Sequence, residues 1–182
     1  MRRRVVLLAA LGACWRRGAA AQSLSDAFGV FGRERSLGES TVGLLKRYAP
    51  EDIDGRALYA QAKAEFDGLI EQMLADLADR QDPQLSPAFR ERLDRALARC
   101  AAFSAHAEAV ITPRIPAGAK PDWLAVIAGL GNVLPDTVKA LVDAGIAIWR
   151  EFRAANAERR REIEARVEAQ RWKPWAEIPA AP

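Results

Sequence analysis

Apolar residues return at helical spacing through most of this chain. From Glu51 to Arg80, the residues Tyr59, Ala62, Phe66, Leu69, Ile70, Met73 and Leu77 recur at steps of three and four. That spacing gathers side chains on one face of a helix. Acidic Glu51, Asp52 and Asp54 stand at its start, where the helix dipole favours negative charge, and Gln81-Asp82-Pro83 ends it. A second helix is predicted from Ser86, a good N-cap, with Pro87 at the first helical position. Its buried face is predicted as Phe89, Leu93, Leu97, Cys100, Ser104, Ala107 and Ile111, and Thr112-Pro113 and Pro116 stop it.

The pattern changes after a Pro- and Gly-containing connection, Pro113 to Pro121. Asp122 can cap a short helix, Trp123 to Leu130, that runs out at Gly129, Gly131 and Asn132. Leu134-Pro135-Asp136-Thr137 then opens a helix predicted to continue to Trp172. At 1.5 Å per residue such a helix spans roughly 54 Å. Its first half has a wide apolar stripe: Val138, Leu141, Val142, Ile146, Ile148, Trp149 and Phe152. After Ala155 the stripe thins to Ile163 and Val167, so the second half is predicted to lie on the surface or protrude. Residues 22–50 have weak periodicity, with Ser, Gly and Asp recurring and Phe28 and Phe31 the only large anchors before Leu37. They are predicted to form an irregular tether with at most a turn of helix over Thr41–Arg47. Sparse β-branched residues and abundant alanine favour helix throughout. The expected fold is all-α: an antiparallel bundle of about four helices over residues 51–178, preceded by the tether and ended by the long helix.

Charge redraws the first residues. The chain holds 27 Lys plus Arg against 24 Asp plus Glu, a formal +3. Five of those bases (Arg2, Arg3, Arg4, Arg16 and Arg17) precede residue 22, and the first acid is Asp26. Residues 22–182 therefore carry 22 bases against 24 acids, a formal −2. The basic balance belongs to the start of the chain, and a nucleic-acid partner is not expected. Arg2–Arg4, the apolar run Val5–Ala13 and the small residues Gly18–Ala21 have the layout of a bacterial export signal, residues 1–21. Ala19-Ala20-Ala21 fits cleavage before Gln22. Leu11-Gly12-Ala13-Cys14 resembles the lipobox of bacterial lipoproteins, and that resemblance implies an acylated Cys14 as membrane anchor. At ten residues, Val5–Cys14 is about half the length a bilayer-spanning helix needs. The expected compartment is the periplasm, free or anchored facing it.

The chemistry-bearing residues are few. Cys14 and Cys100 are the two cysteines, and Cys100 falls on the apolar stripe of its helix, where a thiol behaves as a small hydrophobe. His106 is the single histidine, which leaves no His-rich zinc set and no spare imidazole for a Ser-His-Asp unit. Glu39-Ser40 resembles the Glu-Ser pair of lytic transglycosylases over those two residues, without that family's glycine- and aromatic-rich segments. The resemblance implies Glu39 as a general acid on cell-wall glycan, which requires a raised pKa in an apolar pocket. Trp123 and Trp149 bracket an apolar stretch that suits a buried hairpin, a membrane hairpin or a carrier of an apolar ligand. Gly129-Leu130-Gly131-Asn132 lacks the flanking strand and Lys-Ser/Thr of a phosphate loop. No cofactor or metal is implied.

The stretch Arg150–Lys173 carries eight bases and five acids. Arg159, Arg160 and Arg161 are its densest point and Trp172 and Trp175 follow, a composition suited to an acidic partner or lipid headgroups. Residues 51–80 hold eight acids and three bases. Packing of the two would neutralise both internally. The expectation is a non-enzymatic envelope protein that meets a protein or membrane surface through Arg159, Arg160, Arg161 and Trp172, anchored at Cys14. The alternatives are a glycan-cleaving enzyme using Glu39 and an apolar-ligand carrier.

Overall fold

The computed structural model describes residues 23–83, 86–115, 126–127, 129–130 and 135–182. The described residues are all-helical, without a strand. Five α-helices are resolved among them: α1 (Leu24–Tyr48), α2 (Ile53–Ala78), α3 (Pro87–Ile111), α4 (Pro135–Ala154) and α5 (Ala157–Glu168). Short 3-10 turns occupy Thr112–Arg114 and Trp175–Glu177.

Local signals set the starts of four helices, because the first N–H groups of a helix need an outside acceptor. Asp52 caps α2 by accepting from the Gly55 N–H at 3.1 Å. Ser86 caps α3 by accepting from the Phe89 N–H at 3.2 Å, with Pro87 in the first turn. Ser23 and Asp26 form a capping box at the head of α1, each side chain serving the other's main chain. Asn156 caps α5 by accepting from the Arg159 N–H at 2.9 Å. At the far end of α2, Arg80 takes φ 55° and lets the Gln81 N–H reach back to the Asp76 carbonyl. That is the left-handed helix stop, built here without glycine.

Residue contacts give the directions of the helices. Asp52 meets His106, Tyr59 meets Phe103, Glu65 meets Arg95 and Asp76 meets Ser86, so α2 and α3 run antiparallel along their whole length. Phe31 meets Phe66 with ring centroids 6.4 Å apart, and a Cβ at Gly55 would touch Leu45, so α1 and α2 also run antiparallel. Helix α4 packs on α1. The apolar positions expected on α2 and α3 are all buried, from Tyr59 and Phe66 to Leu93 and Ile111. One core cluster joins them to α1, α4, α5 and the C-terminal segment.

Two expectations are corrected. Residues 24–48 are not an irregular tether: they form the 25-residue helix α1, with Ala27, Phe28, Phe31, Val42 and Leu45 buried. The apolar rhythm is faint because Glu34, Gly38 and Thr41 occupy buried positions of the same stripe. The predicted single helix to Trp172 breaks at Ala155–Asn156. The Asn156 cap starts a new helix that packs on α2, and Ile163 and Val167 are buried in the core instead of protruding.

No helix among the described residues is long and apolar enough to cross a membrane. Residues 1–22, including the export-signal and Leu11–Cys14 readings, lie outside the described residues, as do Trp123, Gly131 and Asn132.

Candidate functional site

Among the described residues, a dense set of polar contacts occupies the seam between α1 and α2, where the last fourteen residues lie. Two glycines on α1 shape it. A Cβ at Gly38 would stand 2.6 Å from two ring carbons of Trp172, and one at Gly43 would stand 3.2 Å from the Pro179 carbonyl oxygen. At Gly38 a methyl would overlap the Trp172 ring where it now stands, and at Gly43 it would push the segment outward by a few tenths of an ångström. Trp172 enters the space above Gly38. It stacks on Tyr59 with centroids 5.6 Å apart and meets Phe66 at 5.2 Å. Its exposure is 2 %, and Ile178 further along is 4 % exposed. Trp175 between them is half-buried, edge-on to Tyr59, with the Lys46 ammonium and the Arg56 guanidinium within 6 Å of its ring.

The segment is held largely by its main chain. Tyr59 donates its hydroxyl to the Lys173 carbonyl at 2.7 Å. Lys46 donates to the Trp175 carbonyl at 2.7 Å and also to that of Ile178. Arg35 donates to the Ala169 carbonyl. In the other direction, the Trp172 N–H donates to Asp67 at 3.0 Å and the Ala181 N–H donates to the Gly43 carbonyl at 2.9 Å. Four carbonyls and two N–H groups of the segment are thus satisfied by α1 and α2. Burial, with the neighbouring Glu39 and Asp67 carboxylates, drives the Tyr59 phenol well above its usual range, so it remains a donor.

The expected contact residues divide. Trp172 is not on an exposed surface, because Tyr59, Phe66 and Gly38 enclose it. Arg159 is paired within its own neighbourhood, 2.7 Å from Glu162 and 3.9 Å from Glu151. Arg160 donates to the Phe152 carbonyl at 3.1 Å and lies over the Phe152 ring, tying α5 to the end of α4. Arg161 is exposed. The expected neutralisation between the acidic and basic stretches occurs in part. Arg171 pairs with Glu71 of α2, whereas Glu65 pairs with Arg92 and Arg95 of α3.

Glu39 lies in α1, 20 % exposed, with the Lys173 ammonium 3.4 Å away and the Arg35 guanidinium 3.7 Å away. This is a pairing that fastens the C-terminal segment to α1. A general acid for a glycosidic oxygen needs an apolar, charge-poor pocket, and two cations surround this carboxyl instead. His106 contacts Asp52 at 2.9 Å, buttressing the α2 cap. Cys100 is a free, buried thiol whose ionisation burial pushes far out of range, the nearby Glu34 carboxylate adding to the effect. No group of three or more His, Cys, Asp or Glu side chains suited to a metal occurs among the described residues.

Sequence reading missed Glu34 entirely. It is 6 % exposed, and burial raises its pKa to about 7 against a smaller opposing pull from Arg33. The available signal was its place between Phe31 and Gly38 on a stripe recognisable only if a carboxyl and a glycine are allowed as core positions.

No family model, curated protein or solved structure matches the chain.

Proposed function

We propose that this chain is an exported envelope protein, tethered to a membrane through lipid on Cys14, that works by binding another protein and not by catalysis. The observation that carries the reading is the capping box at Ser23. It closes the first helix at the point where the sequence stops resembling an export signal. Among the described residues, the core cluster begins at Ala27, four residues after that cap. With Cys14 as the lipidated residue, eight residues of sequence, 15–22, lie between the lipid and the Ser23 cap. Several acyl chains on one residue hold a protein at a membrane far better than one. For the contact role, Arg161 is the exposed member of the arginine cluster on α5.

Intact mass of the protein purified from membranes tests the tether. The expected chain begins at an acylated Cys14, and Cys14→Ser should move to the soluble fraction. A chain beginning at Gln22, or membrane association unchanged in Cys14→Ser, refutes the lipid anchor.

A further inference from the structure

We propose that the corner between α4 and α5 lies against anionic phospholipid headgroups, at the end of the bundle where the anchored chain enters. The inference rests on the lipid anchor argued above, and it gives the exposed arginines a membrane contact ahead of any protein contact.

Two observations meet at this corner. The first is charge. Residues 150–161 hold five arginines against two glutamates, Glu151 and Glu158. Arg159 stands 3.9 Å from Glu151, and Arg160 is committed to the Phe152 carbonyl. Arg150, Arg153 and Arg161 are exposed, and Arg150 and Arg161 have no ion pair among the described residues. A guanidinium presents a planar fork of donors that matches phosphate oxygens.

The second is place. Arg166 lies over the Phe28 ring at 4.2 Å, and a Cβ at Gly32 would stand 3.5 Å from the Gln170 side-chain oxygen. Helix α5 therefore runs the same way as α1, and its first turn reaches the Ser23 end. The Arg160 bond to Phe152 holds the end of α4 there too. Of the acids at this end, Asp26 is engaged in the Ser23 cap, and Asp79 is balanced by its neighbour Arg80. Between Cys14 and Ser23 the sequence adds Arg16 and Arg17 and no acid. A lipid chain and a basic patch act together in membrane binding. The attraction to anionic headgroups falls off within a Debye length, about 8 Å at physiological salt, so a basic patch is effective only at the anchored end. Ile53, 80 % exposed at the start of α2, marks the opposite end, with the 25-residue α1 between them.

The test uses the full acylated protein in vesicles of phosphatidylcholine, with or without phosphatidylglycerol. A fluorophore is attached to Ala154→Cys at the corner or to Ile53→Cys at the far end. Cys100 is 1 % exposed and stays unlabelled. Quenching by a headgroup spin label reads closeness to the membrane. With phosphatidylglycerol present, the corner label should be quenched about fivefold more than the far label. High salt, or phosphatidylcholine alone, should bring that ratio below about twofold. The double variant Arg150→Gln/Arg161→Gln should do the same in phosphatidylglycerol, with its circular dichroism unchanged. Equal quenching of the corner label with and without phosphatidylglycerol overturns the proposal and leaves the arginines to an acidic protein. A double variant that behaves like the parent also overturns it. Retention on neither kind of vesicle defeats the anchor itself, and the proposal with it, so the two failures are told apart.

Discussion

The α2–α3 hairpin and the α1–C-terminal seam are both buried, yet they are held by different means. In the hairpin, two adjacent helices face each other with matched apolar stripes; Asp52 with His106 and Glu65 with Arg95 sit at the rims, and Asp76 with Ser86 is buried at one end. In the seam, partners lie more than a hundred residues apart in sequence, as Tyr59 does from Lys173 and Lys46 from Trp175. Much of the attachment there is polar. The hairpin is a product of local pattern, whereas the seam exists only once the whole chain has folded.

The sharpest way to break this contrast is truncation on each side of it. Leu93, 1 % exposed in α3, should lose 2–5 kcal/mol of stability on Leu93→Ala, the usual cost of emptying a packed aliphatic site. Trp172→Ala should cost about 3–5 kcal/mol, because its ring fills the space between Gly38, Tyr59 and Phe66. Urea unfolding measures both. Hydrogen exchange should then separate them: in Trp172→Ala, the amides of α2 and α3 stay protected longer than those of α1. A cost under about 1 kcal/mol for Trp172→Ala would reduce the seam to surface decoration.

Next in size is a dependence on pH centred on Glu34 of α1. Glu34 titrates near its ordinary 4.5 in the unfolded chain and at about 7 in the fold. Between those values the folded protein keeps a proton that the unfolded chain has released, so stability falls as pH rises through this window. The stabilisation is fully present below pH 4.5 and is spent above pH 7. At 1.36 kcal/mol per pKa unit the loss is about 3 kcal/mol. Urea midpoints taken from pH 4.5 to 8 should show this decline in the parent and a flatter profile in Glu34→Gln, with the variant the more stable at pH 8. A parent profile without that slope would mean the carboxyl is solvated.

A smaller effect should come from Gly38→Ala. On an exposed helix this change gains up to about 1 kcal/mol. Here the new methyl collides with the Trp172 ring, and overpacking typically costs about 1–3 kcal/mol. Net destabilisation, with Trp172 fluorescence shifted towards that of a water-exposed indole, is the expected result. A net gain would show that the seam yields easily.

What the sequence made legible follows the same division. The caps at Asp52 and Ser86 and the stripe from Tyr59 to Leu77 could be read because each signal is complete within a few residues. Helix α1 was hidden because Glu34, Gly38 and Thr41 take core positions that an apolar count skips. The burial of Trp172 was hidden because its pocket is assembled from Gly38, Tyr59 and Phe66, on two other helices. Charge density around Arg159, Arg160 and Arg161 pointed outward, yet Arg160 is spent on the Phe152 carbonyl and ring.

The break between α4 and α5 lies between these cases, since its signal is local but was overridden by the surrounding helix formers. Asn156 stands among alanines, and an uncapped reading runs the helix straight through. In the fold, its side-chain oxygen takes the Arg159 N–H, while its main chain is extended at φ −72° and ψ 174°. Asn156→Ala removes the acceptor and should cost about 1 kcal/mol, and Asn156→Gly only a few tenths. The difference matters because alanine also favours continuing the helix. Were α4 and α5 to fuse, Ile163 and Val167 would leave the α2 face where they are now buried. A loss of about 1 kcal/mol in Asn156→Ala, with exchange protection of α5 retained, places the cause in the cap. A loss several times larger, with protection of α5 gone, would show that this one side chain decides whether the C-terminal segment reaches its seam at all.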